Sequence, residues 1–177
     1  MEFLDAIKDR IPDYAKDIRL NLDAVVARSS LPPEDALGVA LAAAFASKSA
    51  PLIEAFRANT PAAEANAALT AAALMGMNNV WYPFVEMADD EDLKTQRAEL
   101  RMNAYATSGG LQKKQFEAFA LAASIVGKCH FCVKSHYELL KKEGLTTTQL
   151  RDIGRIAAVV NAAAQVLDAE SGAPLAA

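Results

Sequence analysis

Apolar residues recur along this chain at helical spacing, and no stretch carries the strict alternation of a half-buried strand. Prolines and glycines punctuate the pattern and divide it into predicted helices. Pro12 can open a helix at its first turn and carry Tyr14 to about Ser29. Pro32 and Pro33 open a second, to about Ser47, and Pro51 starts a short third. Thr60-Pro61 begins a long one to about Asn79. Val80 to Met87 continue it, with a kink or break at Pro83. Asp89-Asp90-Glu91-Asp92 reads as a solvated turn and Ser108-Gly109-Gly110 as a breaker. Helices then run from about Lys113 to Val126, ending near Gly127, and from about Cys129 to Glu143, stopped by Gly144. Thr146-x-x-Gln149 is a capping box for a last helix to about Asp168, and 171–177 reads as a flexible tail.

The pattern predicts an all-α protein with one domain over 1–177, and composition strengthens it. Alanine, the best helix former, supplies 38 of 177 residues. A faint repeat adds internal organisation. Val39-Ala40-Leu41-Ala42-Ala43 reads against Phe119-Ala120-Leu121-Ala122-Ala123, and at the same offset of 80 Lys48 meets Lys128 and Leu52 meets Cys132. This predicts one helical unit used twice, in halves of approximately 12–88 and 92–170, with chemistry in the second alone.

Charge narrows the partners. The net charge is −4 and no Lys/Arg-rich block appears, which argues against nucleic acid. The opening MEFLDAIKDR lacks the apolar core of a signal peptide, and no apolar run is long enough to span a membrane. The expected location is the cytoplasm, where a lone CxxC is redox-active or metal-binding rather than a structural disulfide.

That CxxC concentrates the candidate chemistry. Both cysteines, Cys129 and Cys132, and both histidines, His130 and His136, lie within eight residues. Cys129, Cys132 and His136 are spaced i, i+3, i+7 and share a helix face. At a helix start, the dipole and free backbone N–H groups lower a thiol pKa, and Lys128 adds a cation. His136, one turn beyond Cys132, can take its proton and makes Cys132 the better-served nucleophile. Two cysteines so spaced can close a disulfide, so the dithiol can attack a partner's disulfide and resolve itself internally. Glu117 lies on the preceding helix among Phe116, Phe119, Ala120 and Leu121. A hairpin at Gly127-Lys128 can bring it back to orient His136. Two alternatives remain at this point: zinc held by Cys129, Cys132, His136 and His130, or buried inert thiols.

Other features are plainer. Met75, Met77, Trp81, Tyr82 and Phe84 read as core or subunit interface, and Gly76 as a place of close helix approach. Asn78-Asn79 reads as a helix cap or stop. Arg97 and Arg101, one turn apart, are expected to pair with Glu99, Asp92 or a neighbouring subunit. No phosphate loop or Ser-His-Asp set is visible, so no organic cofactor is expected.

Glu117-x11-Cys129-x2-Cys132-x3-His136 resembles the active-site pattern of the alkyl hydroperoxide reductase AhpD proteins, within the wider carboxymuconolactone decarboxylase-like superfamily. Residues 12–22, Met75-Gly76-Met77-Asn78-Asn79-Val80 and Leu100-Arg101-Met102-Asn103 resemble further AhpD segments, so the likeness covers nearly the whole chain. It implies an all-helical homotrimer that reduces the disulfide of the peroxiredoxin AhpC. Reducing equivalents would come from dihydrolipoamide on the lipoyl domain of a dihydrolipoamide acyltransferase, and weak direct peroxidase activity is implied as well. By motif position Cys132 would be the attacking thiol, forming the mixed disulfide or sulfenic acid. Cys129 would be the resolving thiol and proton donor, and His136 with Glu117 the proton relay. Phe131 departs from the pattern: well-studied members carry histidine there, whereas here His130 sits one residue earlier.

Overall fold

A run such as Leu41-Ala42-Ala43-Ala44 has no polar side to offer water, so its helix is stable where neighbours cover it all round. The computed structural model describes residues 1–171, and among these it holds ten α-helices and no strand. They are α1 (Asp5–Lys8), α2 (Lys16–Ala27), α3 (Pro33–Ala46), α4 (Ala50–Asn59), α5 (Ala62–Ala88), α6 (Glu91–Thr95), α7 (Asn103–Ala106), α8 (Lys113–Gly127), α9 (His130–Lys142) and α10 (Thr147–Ser171). The fold is all-α, as the periodicity predicts. α3 and α8 pack on each other at the centre, and α5 and α10 each touch both of them. Residues 38–44 of α3 and 116–124 of α8 are buried without interruption.

Small residues set the central spacing. A methyl group on Gly38 would meet the Phe119 ring at 2.4 Å, so its absence lets the ring lie against α3. At Gly127 a methyl group would sit 2.1 Å from Asn79 Nδ2, so glycine there lets α5 approach the end of α8. Asn79 Nδ2 also donates to the Ala123 carbonyl at 3.1 Å. Gly76 plays no such part within the protomer, because a methyl group there meets nothing within 4 Å.

The caps follow the expected chemistry at the last helix. Thr146 N–H donates to Gln149 Oε1 and Gln149 N–H donates to Thr146 Oγ1, a reciprocal capping box. Several boundaries differ from expectation. A 3₁₀ turn over Glu2–Leu4 and helix α1 precede Pro12, burying Leu4, Ile7 and Ile11. Asp89–Asp92 is more than a turn: Asp90 Oδ1 accepts from the backbone N–H groups of Asp92 and Leu93 and starts α6. α5 runs through Pro83 to Ala88 without a break. Residues 97–101 are not helical, so Arg97 and Arg101 are not one turn apart, and neither forms an ion pair among the described residues. α10 reaches Ser171, past Asp168; the rest of the expected tail lies outside the described residues. Among the described residues no helix is long and apolar enough to cross a membrane.

Candidate active site

The α8–α9 hairpin builds the site. The chain leaves α8 at Lys128, whose φ of 55° turns it left-handed, while Lys128 N–H and Cys129 N–H bond back to the carbonyls of Ile125 and Ser124. This tight turn makes Cys129 the N-cap of α9 and lays α9 back along α8. Cys129 and Cys132 form a disulfide, with Cα atoms 5.3 Å apart. Cys129 Sγ also accepts from the Cys132 backbone N–H at 3.3 Å, one of the donors a helix start leaves free. It lies 3.9 Å from the Asn78 carbonyl oxygen, against α5. Cys129 is fully buried. Cys132 borders a cavity of about 300 Å³, also lined by Tyr82, Met102, Tyr105, Phe131 and His136.

The hairpin brings Glu117 to His136. Glu117 Oε2 lies 2.6 Å from His136 Nδ1, and both side chains are buried. Tyr105 donates its hydroxyl to the other oxygen, Glu117 Oε1. Burial pushes the Glu117 carboxyl up, but the hydrogen bonds from His136 and Tyr105 outweigh it and hold the group below its ordinary value. Burial, followed by the Glu117 carboxylate, pushes the Tyr105 hydroxyl upward, so it remains a donor. An ionised carboxylate can only accept, which places the proton of this pair on His136 Nδ1. His136 Nε2 then faces Met75 Sδ at 3.2 Å. In this disulfide state His136 makes no hydrogen bond to Cys132.

The remaining candidates lie apart. His130 points outward, its side chain 83% exposed, 3.3 Å from Glu86. Phe131 stacks on Tyr82 with ring centroids 4.3 Å apart. Among the described residues no group of three or more His, Cys, Asp or Glu side chains is arranged to hold a metal ion.

Comparison with known proteins places nearly the whole chain beside named relatives. The profile of the carboxymuconolactone decarboxylase family matches residues 91–172, which include α8 and α9. A Rhodospirillum centenum protein named alkyl hydroperoxide reductase AhpD is 43% identical, over 95% of this chain and 92% of its own length. Proteins of the same name from Maricaulis maris and Streptomyces avermitilis are 42% and 41% identical, over 95% of this chain and 99% and 97% of their own lengths. The chain belongs to the AhpD family.

Three contacts at or beside this candidate site escape a reading of the sequence. Tyr105 stands in a segment with no usable periodicity, twelve positions before the Glu117 carboxylate it meets. Met75 reads as core or subunit interface, and it is fully buried, yet its sulfur meets the histidine. Asn79 reads as a cap, whereas it ties α5 to the end of α8. An apolar run can signal burial but not which polar atom a buried sulfur or amide will face.

Proposed function

We propose that Cys129 and Cys132 form a redox dithiol that reduces the disulfide of the peroxiredoxin AhpC and is re-reduced by dihydrolipoamide. The names of the relatives support an alkyl hydroperoxide reductase activity. The observation that carries the reading is a cysteine pair at the start of α9 beside a buried acid–imidazole pair.

In this reading reduced Cys132 is the nucleophile. His136 takes the thiol proton through Nε2, and Glu117 stabilises the resulting charge through Nδ1. The thiolate attacks one sulfur of the AhpC disulfide; that bond breaks, a mixed disulfide forms, and the departing AhpC sulfur takes a proton. Cys129 then attacks Cys132 Sγ, closing the Cys129–Cys132 disulfide and releasing the second AhpC thiol with its proton. AhpC has gained two electrons and two protons, and this chain has lost them.

Dihydrolipoamide, carried on the lipoyl domain of a dihydrolipoamide acyltransferase, reverses the chemistry. Its thiolate attacks Cys132, the sulfur beside the cavity, and Cys129 leaves. The leaving thiolate is stabilised by the positive end of α9 and the Cys132 N–H. The second thiol of dihydrolipoamide then attacks the lipoyl sulfur of that mixed disulfide, closing lipoamide and releasing Cys132 as the thiol. Slow direct reduction of alkyl hydroperoxides uses the same thiolate, through a sulfenic acid on Cys132 that Cys129 resolves. The cycle uses no bound organic cofactor. The reading places the chain in the cytoplasm as a homotrimer, and the exposed Val80, Phe84 and Met87 on α5 offer an apolar stripe for such an assembly.

The test is peroxide-driven NADH oxidation with lipoamide dehydrogenase, lipoamide, this protein and AhpC. Full flux is expected only with all four components, with a slow residual rate from the direct reaction when AhpC is left out. Flux with another disulfide substrate but not with AhpC would reassign the partner, and reduced thiols inert to both peroxide and disulfides would defeat the redox reading.

A further inference from the structure

Glu117 is almost fully buried, and a carboxylate in that position needs a donor on each oxygen. His136 serves Oε2, and Tyr105, half-buried on the short helix α7, serves Oε1. The Tyr105 ring is fixed by an edge contact with Phe116, centroids 5.7 Å apart at 81°, and Tyr105 also borders the cavity at Cys132. We infer that Tyr105 is a positioning residue of the thiol site, holding Glu117 ionised and oriented so that His136 keeps its proton on Nδ1 and offers Nε2 to the reduced Cys132. This rests on the proposed redox role of Cys132.

The titratable groups around Glu117 are few. His136 reaches it from α9, Tyr105 from α7, and Lys113 lies one turn earlier on α8; Tyr82 of α5 stands beside Tyr105. Lys113 supplies a weaker charge effect than the two hydrogen bonds. Loss of the Tyr105 hydroxyl therefore removes one of the two main supports of the carboxylate. Once protonated, Glu117 no longer stabilises an imidazolium, and the thiol loses its base.

Tyr105→Phe keeps the ring against Phe116 and deletes one oxygen. The readout is the pH dependence of Cys132 alkylation in the reduced protein, resolved by peptide mass spectrometry. The acid limb is expected to move up by about one pH unit, with about a tenfold slower reaction at its foot and little change at alkaline pH. In a Glu117→Gln background the Tyr105→Phe change should add nothing. Fluorotyrosine at position 105, a stronger donor of nearly the same size, should move the limb the opposite way and covers the case in which phenylalanine disturbs folding. Superimposable profiles for folded Tyr105→Phe and the unaltered protein would overturn the inference, as would an undiminished shift in the Glu117→Gln background. Alkylation needs neither AhpC nor lipoamide. A shifted profile without NADH flux would sink the partner assignment and leave Tyr105 in place; normal flux with an unshifted profile would do the reverse.

Discussion

The α3–α4 and α8–α9 hairpins turn on the same backbone and bury different chemistry. Lys48 and Lys128 have φ of 59° and 55°, and the following residues, Ser49 and Cys129, both donate their N–H to the carbonyl five positions back. Gln115 Nε2 donates to Asp35 Oδ1 at 2.8 Å, so two positions one repeat offset apart meet between the central helices. At that offset Leu37, Ser49, Leu52 and Phe56 stand opposite Glu117, Cys129, Cys132 and His136. Leu52 and Phe56 are fully buried, and Cys132 and His136 nearly so. Leu37 is half-buried where Glu117 is buried, and burial imposes unequal requirements on the two sets. Leucine and phenylalanine need contact alone, whereas a buried carboxylate and imidazole need partners on particular atoms, which α5 and α7 supply through Met75 and Tyr105.

The comparison breaks most sharply at Cys132. Cys132→Ser should abolish the coupled NADH flux, and Cys129→Ser should trap a mixed disulfide visible by non-reducing electrophoresis. Substituting Leu52 should alter stability without touching the chemistry.

Next in size is the cost of half a network. Glu117→Leu takes the residue type of the first hairpin but strands His136 and Tyr105, and should lower stability by about 2–3 kcal/mol in urea titration. Adding His136→Phe completes the apolar pattern and should recover much of that loss, because a buried polar pair can be exchanged for apolar side chains of similar volume. A double variant as unstable as the single one would show that the hairpins differ in packing and not only in polar chemistry.

Acid should reveal the same asymmetry. The Glu117 carboxyl is held below its ordinary value, so its contribution is complete above that value and is lost as pH falls through the folded-state value. Asp152 on α10 adds a second acid-sensitive tie. Burial pushes its carboxyl up, but the N–H and hydroxyl of Ser30, with Arg151 and Arg155, bring it down to about 2. Its share of stability, about 2 kcal/mol, should vanish between the ordinary 3.8 and about 2. Urea midpoints measured against pH for Glu117→Gln and Asp152→Asn separate the two.

Periodicity and punctuation make most of this fold legible, because long alanine-rich helices between prolines leave few other readings. The capping box at Thr146 is legible to the atom, since both of its bonds are local. Spacing also puts Cys129, Cys132 and His136 along one helix face. It cannot find Tyr105, whose place depends on an irregular path over 96–102 and a four-residue helix. Nor can it rank glycines: Gly76 reads as a place of close helix approach and meets nothing, whereas Gly38 carries no such signal and lies against the Phe119 ring, because neighbours on other helices decide what each does.

The glycines give the smallest test, and two terms compete in it. Glycine inside a helix costs about 1 kcal/mol relative to alanine. At Gly76 a methyl group meets nothing, so Gly76→Ala should stabilise the protomer by about that amount. At Gly38 the same gain is opposed by overlap with the Phe119 ring at 2.4 Å, and overpacking of a core costs about 1–3 kcal/mol. Gly38→Ala should therefore lose about 1 kcal/mol net, read as a lower urea midpoint with the same slope. Gly38 stands one offset from Ala118, and Phe119 one offset from Val39, so the smallest residue on one central helix faces a large one on the other. Gly38→Ala combined with Phe119→Val, which brings both positions to the types found at their counterparts, should cost less than the sum of the two single changes, because the smaller side chain relieves the overlap although its own truncation leaves a cavity. If the two costs simply add, the overlap at Gly38 is absorbed elsewhere, and the central helices are less interchangeable than their shared pattern implies.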